Sequence, residues 1–104
     1  MSPIPCHFVG MHKISCNDEQ RILLIDEQMI RFPLLHYQML MQLLPGNVVA
    51  EVTLVKALYG CELGTEVSNN LGKIARKIRS RLYPLGLTVE RVAKQGYILL
   101  AIPD

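Results

Sequence analysis

The stretch of sequence that indicates the fold most directly is residues 68–83, SNNLGKIARKIRSRLY. Its apolar residues recur at intervals of three and four, which places them on one face of a helix. These residues are Leu71, Ile74, Ala75, Ile78 and Leu82. Ser68 offers a capping hydroxyl at the start, and Pro84 with Gly86 ends the run. We therefore predict a helix from residue 68 to about residue 83 with one buried face.

The opposite face of this predicted helix is basic. Between Lys73 and Arg81 there are five basic residues and no acidic one, so like charges repel without the opposite-charge pairs that usually stabilise a solvated helix. The side chains that point outward or flank that direction are Asn69, Lys73, Arg76, Lys77, Arg79 and Ser80. Phosphate contacts would relieve the repulsion, and arginine and asparagine can each bind a base through two hydrogen bonds. The face therefore favours DNA as a partner, with a solvated basic surface that binds nothing as the alternative.

The residues upstream predict a sheet and two shorter helices. Residues 13–32 alternate short apolar runs with polar turns at 17–19 and 26–28, which indicates three or four antiparallel strands. Apolar residues then recur at helical spacing from 35 to 44, and a second helix is predicted over 52–59. Pro45-Gly46-Asn47 and Gly60 end these helices, and residues 48–49 form a brief extended link. The first twelve residues lack periodicity and are predicted to be a loose arm or a short edge strand.

A hairpin is predicted downstream of the basic helix. Residues 87–92 and 97–102 are strand-like runs joined by the tip Ala93-Lys94-Gln95-Gly96. Three helices followed by a hairpin is the order of a winged helix-turn-helix, so we predict an α+β fold with an N-terminal antiparallel sheet, a three-helix core and a C-terminal wing. Arg91, Lys94 and Gln95 make the wing a second polar and basic element that can lie along the DNA backbone or in the minor groove. Tyr97 is interpreted as a core anchor, because an apolar run follows it.

Length and composition are those of one small globular domain. The chain has 104 residues, of which half are hydrophobic and 19% are charged, and we expect residues 1–104 to form a single domain. Residues 1–9 lack the basic cluster of a secretory signal and no apolar run is long enough to span a bilayer, so a soluble cytoplasmic protein is expected. Residues 1–66 carry a net charge of −3 and residues 67–104 a net charge of +5. A positive end of this kind attracts a polyanion.

The sequence predicts neither an enzyme nor a cofactor-binding protein. No nucleophile elbow, phosphate-binding loop or zinc-protease motif is present, and His36 on an apolar helix is interpreted as a structural residue. Four potential zinc ligands lie near the N-terminus, but their spacing is not that of known structural sites, so no metal site is predicted. These four are Cys6, His7, His12 and Cys16.

Four short segments of the sequence, in order, resemble one family. They are Pro45-Gly46-Asn47-Val48-Val49, Leu54-Val55-Lys56-Ala57-Leu58-Tyr59-Gly60, Ile78-Arg79-Ser80-Arg81-Leu82 and Val92-Ala93-Lys94-Gln95-Gly96-Tyr97. Together they make the stretch from about residue 22 to residue 102 similar to the effector domain of OmpR/PhoB-type bacterial transcription regulators. The resemblance implies the same winged-helix fold and binding to promoter DNA, often as head-to-tail pairs on direct repeats. It also implies DNA contacts from the positions of Asn69, Lys73, Arg76, Lys77 and Arg79, and an RNA polymerase contact from the loop at 61–67.

The sequence departs from the family pattern at several positions. Asn69 stands where a basic residue is usual, and Ala93 stands where an arginine or similar donor is usual. Ala50 replaces the serine or threonine common before the second helix. The chain carries no receiver domain with a phosphorylatable aspartate, which leaves a stand-alone regulator or a domain cut from a longer protein as alternatives.

Two functional hypotheses follow. The first is sequence-specific binding of double-stranded DNA for transcriptional regulation in the bacterial nucleoid, with helix 68–83 in the major groove and wing 91–97 on the backbone or in the minor groove. Its candidate DNA-binding residues are Asn69, Lys73, Arg76, Lys77, Arg79, Ser80, Arg91, Lys94 and Gln95. The second is a winged-helix protein-interaction module that contacts RNA polymerase or another regulator, suggested by the net −3 charge of residues 1–66 and by the 61–67 loop.

Overall fold

A computed structural model describes residues 6–103 of the chain. Four strands come first, β1 (Cys6–Val9), β2 (His12–Asn17), β3 (Ile22–Ile25) and β4 (Gln28–Arg31). Three helices follow, α1 (Leu34–Leu43), α2 (Glu51–Tyr59) and α3 (Thr65–Leu82), and a short 3₁₀ turn (Tyr83–Leu85) leads into the hairpin of β5 (Leu87–Val92) and β6 (Gly96–Ala101). The predicted α+β winged-helix architecture is confirmed. None of the helices among the described residues has the length and apolar character needed to cross a bilayer.

The N-terminal sheet is an antiparallel meander in which each strand pairs with the next in sequence. Its inward-facing side chains alternate with outward-facing ones, as the period of a strand requires. The β3–β4 turn has two residues, Asp26 and Glu27, with φ of 49° and 73°. It is one residue shorter than predicted because Gln28 pairs with Ile25 and so belongs to β4. Residues 1–5 of the predicted arm lie outside the described part of the chain, and β1 is one of the two edge strands of this sheet.

The apolar face of α3 lies in the centre of the core. All five residues predicted for that face are buried: Leu71, Ile74, Ala75, Ile78 and Leu82. They pack with buried residues of the sheet, of α1 and α2, and of β5, so one continuous core joins every layer. Because this face points inward, the basic residues on the opposite side of α3 face solvent.

The start of α3 differs from the prediction. The helix begins at Thr65, and its N-cap is Gly64, which makes no side-chain capping hydrogen bond. The predicted N-cap Ser68 is therefore wrong, because its backbone N–H already donates to the Gly64 carbonyl inside the first turn, at 2.9 Å. The predicted 61–67 loop is correspondingly shorter. Val67, which was assigned to that loop, packs against the core from the helix.

An isolated backbone bridge joins the wing to the segment between α1 and α2. Val49, in the predicted extended link, exchanges two hydrogen bonds with Tyr97 of β6, each of 2.9 Å. The approach is so close that a Cβ on Gly96 would lie 1.9 Å from the Val49 carbonyl oxygen, and Gly96 has a φ of +147°. Tyr97 itself is buried, as expected for a core anchor. Only glycine fits at position 96, because both the space and the backbone conformation exclude a side chain.

We expect Gly96→Ala to lower the free energy of unfolding by at least about 2 kcal/mol, because the new methyl group must push the wing away from Val49. The matched control is Gly72→Ala inside α3, where the added Cβ meets its nearest neighbour, the Tyr97 hydroxyl, at an ordinary 3.7 Å. That control should raise stability by about 0.5–1 kcal/mol. Urea unfolding of the three proteins measures both changes. A Gly96→Ala variant as stable as the parent would show that the wing does not depend on this contact.

Candidate nucleic-acid interface

The outward face of α3 is open to solvent along its length. Three of its basic side chains, Lys73, Arg76 and Lys77, are exposed, and no carboxylate of residues 6–103 forms an ion pair with any of them. Asn69 and Ser80 are exposed on the same helix. The helix therefore presents uncompensated positive charge together with polar hydrogen-bonding groups. This combination suits an elongated anionic partner.

Arg79 has a different environment from the other basic residues of α3. It is half-buried, its Nε donates to the Val89 carbonyl at 3.0 Å, and its Nη2 lies 3.2 Å from the Glu90 carboxylate. Both partners belong to β5, so the guanidinium joins the helix to the wing. The side chain of Arg79, which was predicted to flank the outward face, thus turns toward the wing rather than toward open solvent.

Arg81 is also engaged within the protein. Its guanidinium lies over the Phe32 ring, 4.7 Å from the centroid, and Nη1 donates to the Arg31 carbonyl oxygen. The five basic residues between positions 73 and 81 therefore fall into two groups. Arg79 and Arg81 hold neighbouring elements against α3, and the other three face solvent.

The wing places its polar residues at an exposed tip. Arg91, Lys94 and Gln95 are all exposed, and the tip is closed by a hydrogen bond from the Gln95 N–H to the Val92 carbonyl at 3.0 Å. Lys94 adopts a left-handed backbone with φ of 64° at this turn. The wing adds two positive charges to the surface formed by α3.

A shallow cavity of about 230 Å³ lies between the wing and the start of α2. The cavity contains a carboxylate that the sequence analysis did not single out, that of Glu51. It is mostly buried, and its Oε1 lies 3.3 Å from the Ser68 hydroxyl and 3.7 Å from Arg91 Nη2. An acidic residue near the start of a helix is favourable, so its position in the sequence helps to locate the first turn. The contacts of Glu51 with α3 and with the wing depend on the tertiary fold.

His36 on α1 faces the basic side of α3. Burial, and then the positive charges of Lys77 and Arg81, lower the pKa of its imidazole below the usual value. Its Nδ1 is buried and has no hydrogen-bond partner among the described residues. Burial and the neighbouring positive charges both favour the neutral imidazole, which fits the structural role predicted for it.

The remaining chemistry-bearing residues do not form a site in the described part of the chain. Within residues 6–103, no three His, Cys, Asp or Glu side chains come together as metal ligands would. Of the four potential ligands considered from the sequence, His12 bonds to Asp26 and Cys16 is buried in the core. The side chain of Cys6 lies outside the described part.

The order and packing of these elements match the fold of OmpR/PhoB-type winged-helix domains. The DNA-binding domain of CpxR from E. coli superposes with a TM-score of 0.63 at 16% identity, over 95% of this chain and 99% of that one. The DNA-binding domain of the response regulator AdeR, solved in complex with an intercistronic region, gives 0.67 at 18% identity over 86% and 95%. A streptococcal redox sensor evolved from two-component response regulators gives 0.72 at 21% identity, over 97% of this chain and 44% of that one.

These likenesses are structural rather than sequence-based. No family model and no curated protein matches the sequence. The solved domains therefore show which fold the chain has. The identity of the individual DNA contacts has to be argued from the residues themselves.

We expect the stability of the protein to fall as the pH drops below about 6.5, in part because of His36. Its folded pKa is depressed, so between that pKa and 6.5 the unfolded chain binds more protons and stability rises with pH. Replacing His36 with Gln should flatten this part of a plot of unfolding free energy against pH from 7.5 to 5. An unchanged slope in the His36 variant would contradict the depressed pKa.

Proposed function

We propose that this domain binds double-stranded DNA in a sequence-specific manner and thereby regulates transcription. The observation that carries the proposal is the row of exposed basic side chains on α3, Lys73, Arg76 and Lys77, which form no ion pair within residues 6–103. The fold has solved examples that include a DNA complex. The major groove, about 12 Å wide, admits a helix, and the buried apolar face of α3 leaves this side free to enter it. We place the action of the protein in the cytoplasm, at the bacterial nucleoid, and treat the chain as one functional domain.

The residues of the proposed interface have different roles. Asn69 and Arg76 are assigned to base edges, because their side chains can make paired hydrogen bonds to adenine and guanine. Lys73, Lys77 and Ser80 are assigned to phosphates, which accept hydrogen bonds from ammonium and hydroxyl groups. In this proposal α3 carries the sequence preference and positions the domain in the groove.

The wing supplies a second contact in this proposal. Arg91, Lys94 and Gln95 reach the backbone or the minor groove beside the α3 site. Arg79 holds the wing at its angle to α3 through Val89 and Glu90, so we assign it a positioning role along with any phosphate contact it makes. We further propose that two copies bind adjacent direct repeats.

We expect the double variant Arg76→Ala/Lys77→Ala to lose at least about tenfold in affinity for duplex DNA, with a salt slope smaller by about two because two charge contacts are lost. The matched control is Lys13→Ala/Lys56→Ala, which removes two exposed charges from β2 and α2. Fluorescence anisotropy across a range of salt concentrations measures affinity and slope together. If both double variants lose the same amount, or neither loses any, the proposed surface is wrong.

A second candidate function, a protein contact, is supported by apolar side chains around the α2–α3 loop. Leu63 in the loop and Val52 at the start of α2 are exposed by 44% and 53%, and the acidic Glu62 is exposed beside them. An apolar pair with an acidic rim is suited to a protein partner. We propose RNA polymerase as that partner, alongside the DNA contact.

We expect Leu63→Ser to leave duplex affinity unchanged and to weaken binding of purified RNA polymerase, since the substitution removes apolar contact area from the loop. Biolayer interferometry with immobilised domain measures the second effect. The matched control is Leu100→Ser, which alters another exposed leucine, on β6. Failure of the parent domain to bind polymerase, or equal loss in both variants, would remove this candidate.

A further inference from the structure

The Glu51 carboxylate lies at the point where α2, α3 and the wing meet. It is the first residue of α2, its side chain is only 20% exposed, and it shares one surface cavity with Arg91, Lys94 and Gln95. Its other neighbour, Ser68, precedes Asn69 on α3. A negative charge thus lies between the two elements that present positive charge on the proposed DNA-binding surface.

The two side chains of the Glu51–Arg91 contact differ in burial. The Glu51 side chain is 20% exposed, lies at a favourable helix N-terminus, and accepts a long hydrogen bond of 3.3 Å from the Ser68 hydroxyl. The Arg91 side chain is 64% exposed, and its Nη2 lies 3.7 Å from the carboxylate, beyond hydrogen-bond distance. Arg91 can therefore exchange the carboxylate for another anion more readily than the more buried Glu51 can move.

A DNA phosphate and the Glu51 carboxylate are competitors for the same guanidinium. Both are anions that accept hydrogen bonds from arginine, and a phosphate brought close to Arg91 also approaches the fixed negative charge. Because Glu51 is mostly buried, its field is screened less by salt than that of an exposed residue. We therefore expect the Glu51 carboxylate to make each contact between the wing and a DNA phosphate less favourable.

We propose that Glu51 is a positioning residue that restrains Arg91 and weakens the contact of the wing with the DNA backbone. The inference rests on the proposed function and deepens it, because it separates the contribution of α3 to DNA affinity from the contribution of the wing. The outward face of α3 attracts DNA through Lys73, Arg76 and Lys77, none of which pairs with a carboxylate of the described residues. Glu51 partly offsets the attraction between the wing and the DNA phosphates, so the wing adds little sequence-independent affinity.

The test is the binding of a short random-sequence duplex by Glu51→Gln, measured by fluorescence anisotropy over a range of salt concentrations. We expect about three- to fivefold tighter binding than the parent at low salt, and a salt slope steeper by about one, because Arg91 is released to a phosphate. The control is Glu19→Gln, which makes the same change of net charge in the β2–β3 turn, outside the helix–wing junction. It should tighten binding much less and leave the slope unchanged.

Arg91→Ala, made in both the parent and the Glu51→Gln background, gives a second and independent measurement. If Glu51 restrains Arg91, the loss of affinity caused by Arg91→Ala is larger, by at least about twofold, in the Glu51→Gln background. Equal effects of Glu51→Gln and Glu19→Gln, a loss of affinity in Glu51→Gln, or an additive cycle would each overturn the inference. These results leave the proposed function standing as long as the parent binds DNA. Absence of salt-dependent binding by the parent would overturn both.

Discussion

The close approach of β6 to Val49 determines how the wing lies relative to α3, and these are the two parts of the proposed DNA-binding surface. A two-stranded hairpin is marginally stable by itself, and here β6 gains a backbone bridge to Val49 on its other edge and an anchor from the buried Tyr97 ring. Because Gly96 has no side chain, the backbone of the wing can lie directly against the segment between α1 and α2. The angle between wing and helix core is thus set by backbone hydrogen bonds, which allow little variation, and Arg79 joins the same wing to α3.

Positive charge on α3 has two separate uses in this molecule. Arg79 binds Val89 and Glu90 of β5, and Arg81 donates a hydrogen bond to the Arg31 carbonyl at the end of β4. Both arginines therefore hold neighbouring elements against α3. Lys73, Arg76 and Lys77 have no such partner among the described residues and are directed to solvent. Arginine suits the first task because its planar guanidinium can bond a carbonyl, a carboxylate and an aromatic face from one position. The net charge of the C-terminal part therefore overstates the charge that a partner would meet.

The comparison of predicted and observed elements shows which signals a short sequence carries well. The apolar stripe of α3 was predicted residue by residue, because burial of one face imposes a period that is visible in the sequence. The start of α3 was missed because Thr65 and Glu66 are not apolar and the Ser68 hydroxyl suggested a cap, although Val67 lies four residues before Leu71 and continues the apolar face. The β3–β4 turn was predicted one residue too long for a related reason. Strand register depends on the partner strand as well as on local turn chemistry.

The sequence by itself determined the class of fold, the order of elements, the buried face of α3 and the set of basic residues on its other side, because all of these follow from local periodicity and from charge counted along the chain. Only the tertiary structure decided which of those basic residues face solvent, that Arg79 and Arg81 bind within the protein, and that Glu51 lies between Ser68 and Arg91. The physical reason is that ion pairs and backbone contacts such as these join residues far apart in sequence. Their distances depend on how the layers pack, and no local pattern encodes that packing.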